Sequence, residues 1–483
     1  MISKKKIVYP EPDEVLTQKP SIKKYLKYLL FFGPGAVLVS MTIGQGQLIL
    51  GPQMGAWAGF TLLWLITLNI GSYIIAYIGC RFTMLSGISM MDMFAVKTKK
   101  GCINWLFIII ILIFVPLFTA TIINTLGQAL NWIFGKGHPL LWGIIFCLFA
   151  AVLVLIGRYK LVEYSQAFFV IVLGIGAVVS VLAIPDFIPD LPNILPNFFM
   201  IGNVPEYPGW VANVEGFNMT PIPLSMLGYI GTLAISLIPL VGYLGWIKVK
   251  KWGVFKDKKD PDNFSRQMFN DFKEKNKITY LPEDEKEVRK SHILLKPVLV
   301  DLLIAFVLVS IISAAYMMAG KYLLGSQQIL PSDINLIREQ SIIFTQLGSW
   351  LEPLFKISVF FALFGTVYAG FEAVTRMLYE TGKSVNVKIN KIEYRRFMFY
   401  LLLFFLSTGI PLAILMNFGL SILLILSLTL LFIGVIGVIL YGIGAVYITQ
   451  TVLPEKYRLK KPGLFIAIIG IMLLVIPIFF FII

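Results

Sequence analysis

Residues 33–47 read Gly33-Pro34-Gly35-Ala36-Val37-Leu38-Val39-Ser40-Met41-Thr42-Ile43-Gly44-Gln45-Gly46-Gln47. They belong to the first long apolar run of the chain, 28–50. A helix facing lipid satisfies every backbone group internally and keeps polar side chains sparse. Two glutamines and two glycines at mid-depth break that rule. They make sense where the helix unwinds and turns carbonyls and amides toward a solute. The stretch therefore predicts a broken first span.

The run 224–247 behaves similarly. Gly228, Gly231, Thr232 and Ser236 precede Pro239 and Gly242. Proline removes a backbone donor and frees the carbonyl one turn earlier. Small-residue packing accounts for Gly and Ser, but not for the paired glutamines of the first run. Two broken helices, five spans apart and opening two halves, point to an inverted-repeat transporter with a midplane site.

Outward from these two, the sequence shows eleven apolar runs: 28–50, 59–80, 103–127, 139–157, 162–185, 224–247, 298–319, 350–375, 397–415, 419–449 and 463–483. About 20 apolar residues cross a bilayer as a helix. The alternating ten-residue segments of a membrane β-barrel are missing. Hydrophobic types make up 58% of the 483 residues and charged types 14%, well below the quarter or so of a soluble domain. This excludes a soluble enzyme and a disordered chain. The net charge of +15 lies in loops between apolar runs, so it reads as topology rather than as a nucleic-acid site. Thirty-seven of the 41 Lys and Arg fall in segments on the N-terminal side; Lys136, Lys321 and Arg338 fall on the other, and Lys356 lies within a run. The asymmetry predicts a multi-pass cell-membrane protein with its N-terminus in the cytoplasm and its C-terminus outside.

The expected organisation is a cytoplasmic tail (1–27), a first five-helix repeat (28–185), an outer loop (186–223), the first helix of the second repeat (224–247), a charged cytoplasmic loop (248–297), the rest of that repeat (298–449), and a short loop with an eleventh helix (450–483). The outer loop reads equally as an ordered cap or as a floppy segment. It carries the sequon Asn218-Met219-Thr220. The charged loop reads as a solvated linker. No cleavable signal peptide is visible. Cys80, Cys102 and Cys147 form neither a disulfide framework nor a metal cluster. His138 and His292 are far apart and resemble no ligand set. No phosphate-binding loop or catalytic motif appears, so neither an enzyme nor an ATP-driven pump is expected, and no cofactor.

At these residues the chain resembles the Nramp family of divalent-metal transporters. Gly33-Pro34-Gly35, the eight residues after it, and Gly55-Ala56-Trp57-Ala58-Gly59 look like that family's first span and entry to the second. Further likeness lies in Ile230-Gly231-Thr232, Leu354-Phe355, Phe364-Gly365 and Leu453-Pro454-Glu455. The resemblance implies a LeuT-like fold and import of a divalent metal of the Mn, Fe or Mg class, coupled to protons, by alternating access. The family's DPGN is Gly44-Gln45-Gly46-Gln47 here, so its metal-binding Asp falls on Gly44 and its Asn on Gln47. Its sixth-span Met and His fall on Ile235 and Leu237, and its two third-span acids on Thr121 and Asn124.

The expected fold is all-α and integral to the membrane, with about eleven spans as a LeuT-like five-plus-five inverted repeat and one extra helix. The candidate substrate site is Gly44, Gln45 and Gln47 with Thr232, Ile235 and Ser236; Gln47 is the candidate metal ligand and Ile235 an apolar wall. Amide oxygens, hydroxyls and carbonyls hold a neutral polar solute better than a bare divalent ion, which wants carboxylate, imidazole or thioether. A small polar organic solute or anion is thus the alternative cargo. Thr121, Asn124, Lys356, Glu372 and Arg376 are coupling or gating candidates. Lys356 also reads as an i,i+4 pair with Glu352, and Glu372 with Arg376 as an interfacial pair. Asp301 and Glu163 read as acids at the N-termini of their own helices. The expected partners are the lipid bilayer and a small solute, with no nucleic acid.

Overall fold

The structure is a computed structural model, and it describes residues 6–157, 160–215, 220–333 and 335–482. Among the described residues ten helices are long and apolar enough to cross a membrane, and the bent pair Ile22–Phe31 and Pro34–Thr42 adds an eleventh candidate. Span 1 consists of the half-helices Pro34–Thr42 and Gln45–Ala58, and span 6 of Ile222–Leu233 and Leu237–Val249. Span 2 is Trp64–Leu68 with Ile70–Ser86; spans 3 to 5 are Cys102–Phe134, Pro139–Ile156 and Lys160–Leu182. Spans 7 to 9 are Lys296–Ala319, Glu352–Val385 and Tyr394–Met416. Span 10 runs from Ile422 to Val452 through a π-helical stretch, Leu431–Ile436, and span 11 is Lys461–Ile482.

The first apolar run is therefore placed differently from expectation. Residues 22–31 form a separate bent segment, and the span itself continues to Ala58. Hydropathy could not see this, because Gly44-Gln45-Gly46-Gln47 and Pro52-Gln53 dilute the second half of the run. Packing fixes it. Span 1 follows span 7 from Gly35 beside Asp301 to Gly55 beside Met317, a helical rise of about 24 Å.

Helix ends carry their expected local signals. Pro34 and Pro139 occupy first-turn positions, where the missing N–H is unneeded. Gly135 ends span 3 with a left-handed φ of 67°. Ser421 accepts the Leu424 amide at 3.3 Å.

The two halves pack alike. Span 5 lies on span 8 and span 3 on span 10; span 1 lies on span 7 and span 6 on span 2. Moving every helix five places along exchanges the members of each set, as a five-plus-five repeat requires. Stacked rings mark the matching contacts: Phe169 on Phe361 at 4.6 Å, Phe114 on Phe432 at 4.2 Å. Span 11 leans on span 2, where a Cβ on Gly71 would fall 2.3 Å from the Gly470 carbonyl oxygen.

Both connecting regions hold helices among the described residues. The loop after span 5 holds the helix Phe187–Ile194 and folds over span 1 and span 2, with Tyr207 against Trp57 at 4.6 Å and Trp64 donating to the Asn203 carbonyl. The sequon asparagine, Asn218, lies outside the described residues, as does the side chain of Glu163. The charged loop forms helices Pro261–Lys275 and Glu285–Ile293. It is tied to the N-terminal segment by Ile7 N–H to the Tyr280 carbonyl at 2.8 Å and by the buried Lys290 ammonium to Glu11 at 2.8 Å; within the loop Lys290 also pairs with Glu287 at 2.7 Å. Tyr280 and Tyr457 then donate to the carbonyls of Ser86 and Pro282.

Candidate functional site

Span 1 breaks at Ile43-Gly44 and span 6 at Ala234-Ile235-Ser236, where Ala234 and Ser236 take extended backbone angles. A break leaves the last carbonyls of one half-helix and the first amides of the next without intrahelical partners. The Gly-Gln-Gly-Gln stretch divides its work by residue. A Cβ on Gly44 would sit 2.2 Å from the Thr366 hydroxyl of span 8, and one on Gly46 would sit 2.4 Å from the Thr232 methyl of span 6. Only glycine lets these helices approach so closely. The glutamines reach sideways. The Gln45 amide donates to Thr125 at 3.1 Å and accepts from Thr121 at 3.4 Å, both on span 3. Gln47 lies 3.5 Å from the Tyr229 hydroxyl and accepts from Thr232 at 3.4 Å, both on span 6.

A cavity of about 130 Å³ lies between the breaks. Its polar lining includes Thr42, Gln45, Thr119, Thr232, Ser236, Thr366 and Thr429; Met41, Phe118, Ile122, Val367, Phe371 and Ile433 supply apolar wall. The Thr429 hydroxyl is buried without a hydrogen-bond partner among the described residues. The π-helical stretch of span 10 begins directly after this point, as such bulges often do beside functional sites.

The structure brings Gln45, Thr232 and Ser236 to the cavity, with Gly44 at the adjoining break. Gln47 is fully buried behind the cavity wall. Ile235 is buried outside the lining, and its amide donates to Ser72 of span 2 at 3.2 Å; Ala234 and Ile238 take its place in the wall. Thr121 reaches the site only through Gln45. Asn124 turns away and bonds the Ala413 carbonyl and Asn417 of span 9. Lys356 pairs with Glu352 at 2.9 Å and lies 4.5 Å from the Trp132 ring centroid. Arg376 pairs with Glu372 at 3.3 Å. Met41, Thr119, Thr366 and Thr429 were not singled out in the sequence. Thr366 had one signal, its place beside Gly365, where span 5 crosses closely at Gln166.

Asp301 departs from its expected role. It is fully buried and serves another helix: it accepts the amides of Gly33 at 2.8 Å and Gly35 at 2.7 Å, and the Tyr243 hydroxyl. A carboxylate is favoured at a helix N-terminus, here that of Pro34–Thr42. One side chain thus joins span 7 to the half-helices of spans 1 and 6 on the lysine-rich face.

The two sides of the cavity differ. Toward the lysine-rich face, a Cβ on Gly242, Gly245 or Gly370 would meet nothing within 4 Å. On the opposite side, Cβ atoms on Gly55 and Gly320 would fall 1.8 Å and 2.1 Å from the carbonyl oxygens of Met317 and Pro52. The cavity lining runs from the breaks toward the first, open side as far as Gly370, Phe371 and Val374, whereas on the second, sealed side spans 1 and 7 are in backbone contact. Among the described residues no group of three or more His, Cys, Asp or Glu is placed to hold a metal ion.

No family model matches the chain, and no curated protein matches it in sequence. Its structure is similar to that of a manganese transporter from Eremococcus coleocola. One crystal structure of that protein, a histidine-to-alanine variant, superposes with a TM-score of 0.56 at 15% identity, covering 95% of this chain and 88% of that one. Another, in complex with an aromatic bis-isothiourea substituted compound, gives 0.53 at 14% identity over the same shares. At this identity the likeness establishes the fold: an all-helical membrane protein of LeuT-like architecture.

Proposed function

We propose that the chain is a secondary transporter that carries a small polar organic solute by alternating access, with the solute held between the two helix breaks. The observation that carries this reading is a cavity at the two breaks whose lining extends toward the lysine-rich face, while spans 1 and 7 are closely packed on the other side. The half-helix ends offer carbonyls to a donor group and amides to an acceptor group. Gln45, Thr232, Ser236 and Thr429 add neutral polar contacts, and Phe118, Val367 and Phe371 suit a small apolar body. A solute carrying both charges, such as a small amino acid, fits this donor set. From the lysine and arginine bias, the lysine-rich face is cytoplasmic, with the N-terminus inside and the C-terminus outside.

A divalent metal is the second reading. The resemblance of the first span and the fold of a manganese transporter favour it. The cavity answers with one thioether, Met41, and neutral oxygens, a poor set for a bare divalent ion. Uptake into proteoliposomes separates the two. Neutral amino acids and Mn²⁺ are offered with and without a proton gradient, to wild type, Gln45→Ala and Gln47→Ala. The expected result is saturable organic-solute uptake that falls at least about tenfold in Gln45→Ala, the loss of one buried recognition contact. Saturable Mn²⁺ uptake with no organic solute taken up would sink the proposal in favour of the metal.

A further inference from the structure

The bent segment before span 1 was expected to belong partly to a polar tail and partly to a spanning helix. It is neither. Helix Ile22–Tyr28 continues into the turn Leu29–Phe31, and its axis is bent 68° from the half-helix Pro34–Thr42. Ile22, Tyr25, Leu26, Leu29 and Leu30 recur at the spacing of one helical face. That face points outward, with Ile22 and Leu30 each 82% exposed. Lys24 is buried on the other face, beside Tyr28. Lys23 and Lys27, four residues apart, flank the apolar stripe. At the elbow, Lys250 from the end of span 6 approaches Gly33: a Cβ there would lie 3.1 Å from its Cε.

We propose that this segment lies in the plane of the bilayer surface on the lysine-rich face, with its apolar stripe among acyl chains and Lys23 and Lys27 on anionic phospholipid headgroups. Two observations commit the face to lipid. The stripe leads through Phe32-Gly33 directly into a spanning helix, so it lies at the membrane boundary. Its flanking lysines complement anionic headgroups, and long lysine stems suit a stripe just below the headgroup plane. The segment is also joined to the half-helix that gives Met41 and Thr42 to the cavity lining. An anchored segment therefore gives that half-helix a fixed point at one end and Asp301 as its clamp.

The test uses the full chain with Cys102→Ser, carrying an environment-sensitive dye at Leu26→Cys or, as a control in the charged loop, at Lys258→Cys. The protein is reconstituted in phosphatidylcholine alone or with one third phosphatidylglycerol, and quenching by nitroxide-labelled lipid is compared with quenching by aqueous iodide. The expected result is lipid quenching at position 26 at least about twice that at 258, rising with phosphatidylglycerol. In Lys23→Gln/Lys27→Gln the rise disappears while the protein still reconstitutes, because both side chains lie outside the core. Iodide quenching of position 26 equal to that at 258 would overturn the membrane placement. Lipid quenching that ignores phosphatidylglycerol would overturn the headgroup contact. Neither outcome depends on which solute is transported.

Discussion

The two sides of the broken helices differ in how many glycines bring backbones together. On the sealed side, Gly55 and Gly320 bring spans 1 and 7 into backbone contact, and Gly228, Gly231 and Gly434 do the same for spans 6 and 10. On the open side, Gly242, Gly245 and Gly370 border empty space, and the half-helices meet span 7 at Asp301, whose backbone lies close to Gly35 and whose carboxylate takes the Gly33 and Gly35 amides and the Tyr243 hydroxyl. Backbone contact is short-ranged and holds only in one arrangement. Asp301 clamps the half-helices by a few directional bonds, and the empty space beside Gly242 and Gly370 leaves room for movement on the open side.

The strongest way to break the contrast is to overfill the sealed side. Gly55→Val places methyls where the Met317 carbonyl lies, and overpacking of this kind costs about 3 kcal/mol. A large fall in Tm is expected, with new labelling of cysteines on the sealed side. A Tm within a degree of wild type would mean that spans 1 and 7 are not in backbone contact. Next comes Asp301. Asp301→Ala strands two amides and a hydroxyl, at a cost of about 2–3 kcal/mol; Asp301→Asn, which can still accept, is expected to lose less. Labelling of Gly370→Cys from the open side reports the clamp, and unchanged labelling in both variants would remove Asp301 from gating.

A pH series sharpens the comparison on the sealed face. Glu339, in the loop between spans 7 and 8, has Oε2 buried without a hydrogen-bond partner among the described residues, and burial pushes its carboxyl up from 4.5 to about 7. A raised folded-state value favours the protonated form, so that stability is fully present below about 4.5 and is lost as pH rises through 7. Glu339→Gln is expected to gain on wild type across that window by about 1 kcal/mol, after allowance for its half-exposed position. A gap that stays constant with pH would contradict this. The smallest effect belongs to Gly242→Ala on the open side. An added methyl meets nothing, and replacing a mid-helix glycine gains about 0.5–1 kcal/mol. A loss of stability there would show that the open side closes onto Gly242.

Much of the fold was legible because lipid forces it. Long apolar runs must be helices, and the glycines, proline and glutamines of residues 44–47 and 228–242 mark where two of them break. The roles of single side chains were less legible. Gln45 and Gln47 are two residues apart with the same chemistry, yet only Gln45 lines the cavity, because which neighbouring span an amide meets depends on helix rotation about a break. Asp301 was read as capping its own helix, since the sequence does not show that the N-terminus of Pro34–Thr42 lies beside it. Ile235 looked like a wall because alignment counts positions, whereas the extended backbone at Ala234–Ser236 turns its side chain into the core.

The sequence by itself determined that the chain spans a membrane repeatedly, that its positive charge lies on one face, and that spans 1 and 6 are interrupted. These follow from the cost of putting polar groups and charges in hydrocarbon, a local property of each segment. The tertiary structure alone decided which polar groups face the cavity, where spans 1 and 7 come into backbone contact, and that Asp301 serves a helix 266 residues away from it along the chain. Those outcomes depend on contacts of a few ångströms between distant segments, set by how closely glycines allow backbones to approach.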